Sequence, residues 1–264
     1  MGTQKLLQGD CLELMKNIPD KSIDMILCDL PYGTTACKWD TIIPFDKLWE
    51  HYKRIIKDNG AIVLTASQPF TSLLIASNLE LFKYCWTWEK DNGTNFITSH
   101  YQPLRVIEEV CVFGKGATSF VKNGRNMKYN PQMTEGKPYK CKSGKQKQAS
   151  IIRDGIGGWD KIHGHITNSN GKRYPKNLLK INRDKQKLHP TQKPVELMEY
   201  LVKTYSNEGD LVLDNCMGSG TTGVACKNLN RNFIGIELDE EYFKIAKQRI
   251  DTTLNKPFAS KEKQ

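Results

Sequence analysis

A mostly parallel β-sheet with helices on both faces is the expectation for this 264-residue chain, and three features carry it. Strand-like and helix-like stretches alternate from about residue 5 to 90, the alternation breaks off from about 115 to 188, and it resumes from 189 to about 252. Buried strands alternating with amphipathic helices are the mark of βαβ units, whose crossovers lay helices over a parallel sheet. The length allows a large core, as one domain with an insertion or as two domains.

Taken in order, "SIDMILCDL" at 22–30 reads as a buried strand. Phe45, Leu48, Trp49, Tyr52, Ile55 and Ile56 recur at helical spacing, "GAIVLTA" is a second strand, and Phe70 to Ala76 suits a second helix. A strand over Tyr84 to Trp88 follows, then "EEVCVFGKG" from Glu108, which ends in a glycine turn. From 115 to 188 glycine, asparagine, lysine and glutamine dominate, and loops with only short elements are expected. "HPTQKPVELMEYLVKTY" restores the pattern, with Pro194 in the first turn of a helix whose Leu197, Met198, Leu201, Val202 and Tyr205 form one apolar face. The strand "DLVLDN", a glycine turn, a helix from about Thr221, the strand "RNFIGIEL" and the helix "EEYFKIAKQRI" complete the series. The lysine-rich end after Asn255 is expected to fray, and there is no internal repeat.

Charge is unevenly spread. The chain carries a formal +10, yet 115–187 alone holds 18 Lys or Arg against four acids, which leaves the remainder mildly acidic. One basic segment on an acidic body is the footprint of a region that meets a polyanion, and a solvated surface loop is the competing reading. The eight cysteines (Cys11, Cys28, Cys37, Cys85, Cys111, Cys141, Cys216 and Cys226) form no CxxC pair and no cluster at metal-ligand spacing. Without a signal peptide, that points to reduced thiols in a cytoplasmic protein without structural zinc. No apolar run has the length of a membrane span.

Two stretches carry chemistry. In "LVLDNCMGSGTTG" a strand ends at Asp214 and passes through Gly218, Ser219 and Gly220 into a helix, so that backbone can approach a ligand at the carboxyl edge of the sheet. About twenty residues on, a second strand ends at Glu237, placed for ribose hydroxyls. The letters G-S-G-T-T-G match a dinucleotide turn, so NAD is one candidate ligand; Asp214 before the glycines favours instead a ligand with a cationic amino-acid part. In "ILCDLPYGTT" another strand runs into Asp29, Pro31 and Tyr32 at the same edge. Pro31 fixes its own φ and holds Leu30 extended, which sets the acid and the ring in a defined relation. Such a pair suits a planar base flipped out of nucleic acid, its amino group on the acid and its face on the ring.

"DLPY", then "HPTQKP", then "DNCMGSGTT" resembles the amino-group DNA methyltransferases in the permuted motif order called the beta class. The resemblance implies a circularly permuted, Rossmann-like methyltransferase fold, S-adenosylmethionine as cofactor, and double-stranded DNA with the target base flipped out as partner. Homodimers are common in similar proteins, and a bacterial or viral origin is implied. It divides the chain into a catalytic half at 1–114, an inserted target-recognition region at 115–188, a cofactor-binding half at 189–253 and a flexible tail at 254–264. Asp29 and the Pro31 carbonyl would take the target amine, Asp29 bordering the cofactor as well, and Tyr32 would stack on the base. Asp214, Gly218 and Gly220 would line the methionine side of the cofactor, with Asn215, Cys216, Ser219 and Thr221 of the same loop against it. Glu237 would hold the ribose, with Leu238 beside it, and Asp10 and Cys11 would lie by the cofactor adenine. Thr191 and Lys193 would stand near the cofactor. Leu30 replaces the commoner proline, and Asn215-Cys216 the frequent Pro-Phe. No cysteine follows a proline, so carbon methylation of cytosine lacks its nucleophile. The acid at 29 resembles the adenine-N6 members more than the Ser-Pro-Pro-Tyr pattern of cytosine-N4 enzymes. An NAD-dependent oxidoreductase would leave "DLPY" and the basic segment unused, and a non-catalytic nucleic-acid-binding module would need no cofactor pocket.

Overall fold

A computed structural model describes residues 2–34, 40–119, 124–142, 166–184 and 192–253, with side chains left aside at 140–142 and 166–169. Thr191, Lys145, Lys147 and the 254–264 tail lie outside the described residues.

Eight strands form one sheet: β1 (Gln4–Gln8), β2 (Ile23–Asp29), β3 (Ile56–Ala66), β4 (Phe82–Thr94), β5 (Arg105–Phe113), β10 (Leu178–Lys180), β11 (Leu211–Asp214) and β12 (Asn232–Glu237). Their order is β1-β12-β11-β2-β3-β5-β4-β10, with only β5 antiparallel to its neighbours. The Rossmann-like, mostly parallel architecture is therefore present.

The sheet is buried from both sides because its central strands are apolar at successive positions rather than alternate ones. Met25, Leu27, Ala61, Val63 and Val212 pack on one face, with α4 (Val195–Tyr205), α5 (Thr221–Asn228) and α6 (Glu240–Thr252) above them. Ile26, Cys28, Ile62, Leu64 and Leu213 point the other way, under α1 (Cys11–Met15), α2 (Phe45–Ile55) and α3 (Phe70–Ala76). All five residues read as the apolar face of α4 are buried. Ile56, grouped by spacing with α2, instead opens β3: its backbone is extended and it pairs with Ile23.

The contacts divide the chain into a body of residues 1–130 with 177–264 and a smaller unit, Pro131–Lys176. The smaller unit is narrower than the 115–188 stretch drawn from charge. Ala117 bridges Asn126 within the body, and β10 joins the main sheet along β4. Within the unit are two short antiparallel ribbons, β6 (Thr134–Glu135) with β9 (Lys172–Arg173) and β7 (Tyr139–Lys142) with β8 (Ile166–Ser169). The Arg173 guanidinium lies 4.4 Å over the Tyr139 ring. Among the described residues, no helix is long and apolar enough to cross a membrane.

Candidate active site

Parallel strands end together, so β1, β12, β11, β2 and β3 deliver the residues that follow them to one edge of the sheet, where crevices form. A cavity of about 690 Å³ opens there. Its wall includes Asp29, Pro31, Tyr32, Asp10, Cys11, Lys193, Asp214, Asn215, Cys216, Gly218, Ser219, Thr221, Glu237 and Leu238. The two motif-bearing strand ends, far apart in sequence, thus face one space.

Asp29 closes β2 opposite Thr65 of β3. Its Oδ1 accepts the Tyr32 hydroxyl at 2.7 Å, the Thr65 hydroxyl, and the Lys193 ammonium at 2.8 Å; its Oδ2 accepts Lys193 at 2.7 Å. Burial and then the Asp29 charge push the Tyr32 phenol well above its ordinary value, so it stays a donor. The Tyr32 ring stacks on Phe70 at 5.0 Å between centroids. Beyond the ring, Asp40 pins the turn by accepting Gly33 N–H at 2.8 Å and Thr34 N–H at 2.9 Å. The motif places Lys193 by the cofactor; its ammonium is instead held by Asp29 and lies 3.4 Å from Glu108 at the open end of β5. Burial acts to depress Lys193, yet its neighbours, Asp29 foremost, raise it well above an ordinary amine. Against the desolvation of burial, Lys193 and Lys90 hold the Glu108 carboxyl below its usual range.

The glycine-turn side of the cavity is built on β11 and β12. Burial raises the Asp214 carboxyl to about 7, opposed by hydrogen bonds from Thr222, the Cys216 N–H and Cys28. Both Glu237 oxygens accept backbone donors, Gly218 N–H at 2.8 Å and Asp239 N–H at 2.9 Å, although burial still raises this acid. Asp10 caps α1 by accepting Leu12 N–H at 2.7 Å while also bordering the cavity. Asn215 takes the Tyr52 hydroxyl at 2.5 Å, which moors the turn to α2. Arg249 donates to Ser219 and Thr221, and Ser219 meets Gln192 at 3.3 Å, so α6 and the segment before α4 brace the same turn.

The residues fit a nucleoside cofactor with a cationic tail. Gly218, at φ +50, lines the cavity with nothing within 4 Å of where a Cβ would stand, so the space is open to a ligand. Asp214 is a buried acid without a cation of its own among its named partners.

Gly220 is placed differently from Gly218. At φ +80 it heads α5, and a Cβ there would come within 3.0–3.1 Å of Ala246 and Ile250 of α6, away from the cavity wall. The two glycines should therefore separate experimentally. Gly218→Ala is expected to weaken S-adenosylmethionine binding by about tenfold, or about 1.4 kcal/mol, because the methyl takes space where backbone approaches the ligand. Gly220→Ala is expected to lower stability by about 2–4 kcal/mol through strain and overpacking. Titration calorimetry and thermal melts of both variants check this.

Thr65, Phe70, Lys90, Glu108 and Arg249 escape the sequence reading. A signal for Glu108 is present, since an acid at the open end of an apolar strand is out of place in a core.

A mostly parallel sheet that carries a glycine turn on one strand end and an acid-Leu-Pro-Tyr turn on its neighbour defines the Rossmann-like, S-adenosylmethionine-dependent methyltransferases. Within that class the chain matches the family described as DNA methylase, of the N6/N4 type, over residues 23–248, and it belongs to that family. It is 29% identical to the DNA adenine methyltransferase YhdJ of Escherichia coli (strain K12), over 93% of this chain and 82% of that one. The structure resembles the M1.HpyAVI–SAM complex, with TM-score 0.58, 26% identity, and coverage of 94% of this chain and 100% of that one. It shares its fold with the cytosine-N4-specific PvuII DNA methyltransferase, with TM-score 0.65, 16% identity, and coverage of 94% and 86%. The chain is thus a DNA methyltransferase whose cofactor is S-adenosylmethionine, and the NAD reading of G-S-G-T-T-G falls away.

Proposed function

We propose that the protein methylates the exocyclic N6 amine of adenine in duplex DNA, with the base rotated out of the helix into the cavity. The observation that carries this reading is Asp29, whose Oδ2 accepts only Lys193 among the described hydrogen bonds and which faces the cavity beside the stacked Tyr32 ring. An aromatic amine is a poor nucleophile because its lone pair is delocalised into the ring. An N–H bond to Asp29 Oδ2 and another to the Pro31 carbonyl favour a pyramidal nitrogen and fix its direction, so that positioning and electrostatics lower the barrier. S-adenosylmethionine, when bound there, would supply an electrophilic methyl on a cationic sulfur; the S–C bonding pair would stay with sulfur while the amine gained the methyl and shed one proton. Asp29 stands where that proton leaves. Tyr32, held by Phe70 and by its bond to Asp29, offers a fixed ring to the base.

On the cofactor side, Asp214 pairs with the cationic amino-acid part, Glu237 receives the ribose, and Asp10 and Cys11 border the adenine. The basic insertion supplies phosphate contacts and base readout. The acid at 29 and the adenine specificity named for YhdJ support adenine as the target. The test is to incubate DNA with methyl-labelled S-adenosylmethionine and separate the nucleosides by mass spectrometry. N6-methyldeoxyadenosine is expected; N4-methyldeoxycytidine alone overturns the assignment.

A pH dependence follows from Asp214. Burial pushes its carboxyl up to about 7, and only the carboxylate attracts a cation. Affinity for S-adenosylmethionine is expected to rise with pH through 7 and to weaken by up to about tenfold per unit below it, one proton being displaced on binding. Asp214→Asn should be weaker at neutral pH and flat across that window, which calorimetry at pH 6 to 7.5 reads.

A further inference from the structure

The row of charges beside the base site deepens the adenine-amine reading and rests on it. Lys193, 7% exposed, lies 2.8 and 2.7 Å from the two oxygens of Asp29 and 3.4 Å from Oε2 of Glu108. That Oε2 is buried and accepts no hydrogen bond among the described residues. Its twin Oε1 is held by Lys90 at 3.1 Å, and Lys90 also reaches Thr94 at 3.4 Å. A buried carboxylate oxygen left without a donor is costly, and each such group in a folded protein calls for a reason. Lys193 stands about half an ångström beyond the roughly 2.7–2.9 Å of a charge-assisted bond to it. Lys193 therefore already ion-pairs with this oxygen, and only the shorter geometry of a full hydrogen bond to it is left unmet.

The pairing with Asp29 conflicts with chemistry. Asp29 Oδ1 is already shared by Tyr32, Thr65 and Lys193, so an incoming amine must use Oδ2, which Lys193 holds. As methyl transfer proceeds the amine nitrogen turns cationic, and an ammonium on the same oxygen repels it in a cavity of low dielectric.

We propose that Lys193 is a two-position cation. It neutralises Asp29 while the site is empty, and it moves fully onto Glu108 Oε2 when the target amine reaches Asp29 Oδ2, leaving the Asp29 charge to the amine. Lys193 and Glu108 are thus positioning residues that act through Asp29, and Lys90 anchors Glu108.

The test is a double-mutant cycle on the single-turnover rate of methyl transfer at saturating DNA and S-adenosylmethionine. Wild type, Glu108→Gln, Lys193→Met and the double variant are compared, with cofactor affinity and thermal melting measured on each. Glu108→Gln is expected to slow transfer about tenfold or more while its cofactor affinity stays within twofold. The double variant should be no slower than the slower single, because both changes disable one device. Lys193→Arg, which keeps the cation, should recover part of the loss. A Glu108→Gln rate within twofold of wild type, or losses that multiply in the double variant, overturns the proposal. If Glu108→Gln does not fold, Glu108→Asp, which withdraws the carboxylate by one methylene, is judged by the same criteria. Asp29→Asn run alongside separates the two readings. A normal rate there removes the base site itself, whereas an inactive Asp29→Asn with a normal Glu108→Gln removes only the move onto Glu108.

Discussion

Asp29→Asn is expected to lower the single-turnover rate of methyl transfer by about a hundred- to a thousandfold, the scale seen when a preorganised electrostatic partner is removed. The side chain keeps its shape, so the loss would report charge and hydrogen-bond direction. An amide oxygen accepts a weaker bond than a carboxylate, and if the amide flips, its NH₂ confronts the amine with a second donor. Cofactor affinity should change by only a few fold, because Asp214, Glu237 and Gly218 on the neighbouring strand ends are untouched. Tritium transfer from the labelled methyl measures the first quantity and calorimetry the second. Near-normal turnover would take Asp29 out of the reaction.

The second large effect is expected in DNA binding. Changing Lys140, Lys142, Lys145 and Lys147 together to Gln should weaken DNA affinity by about two to three orders of magnitude near 0.1 M salt, if each lysine meets a phosphate. The slope of log K against log salt should become shallower by about 0.9 for each phosphate that no longer meets a cation. The cofactor dissociation constant should not move. Fluorescence anisotropy across a salt series reads both the affinity and the slope. If neither changes, that cluster is a solvated surface, and the phosphates are met by other cations of the basic segment.

How much of this was legible in the sequence depended on how local the signal was. The apolar run of β2 and the glycine turn after β11 are contiguous, and a parallel sheet brings such strand ends together, so Asp29 and Asp214 could be placed at one edge from the pattern alone. Thr65 could not, because its meeting with Asp29 depends on the register of β2 against β3, which no local stretch states. β1 gave only a broken pattern of half-buried residues, since it lies at the sheet margin. Gly220 carries the same letter as Gly218, and only the arrival of α6 turns one glycine toward packing while the other stays by the cavity. Lys193 sits in a motif associated with the cofactor, yet its long side chain reaches Asp29. Motif membership gave its neighbourhood and left its partner open.

The sheet order has a consequence for how the protein comes into being. β2, which carries Asp29, lies between β3, made shortly after it, and β11, made almost two hundred residues later. β1, the first strand synthesised, finds its partner only in β12, with Gln4 beside Phe233. A growing chain that has passed α4 therefore owns the acid, the ring and Lys193, but its β1 and one side of β2 have no strand to pair with. Long-range pairings of this kind slow folding and leave exposed edges that invite aggregation while they wait. The last strand seals the sheet and brings Glu237 to the cofactor edge in one event, so the pocket comes into existence only when synthesis has passed residue 237. A ribosome-bound chain stalled before that point holds Asp29, Tyr32 and Lys193 but lacks the cavity wall that Glu237 completes, and the whole cavity arrives together with the completed fold.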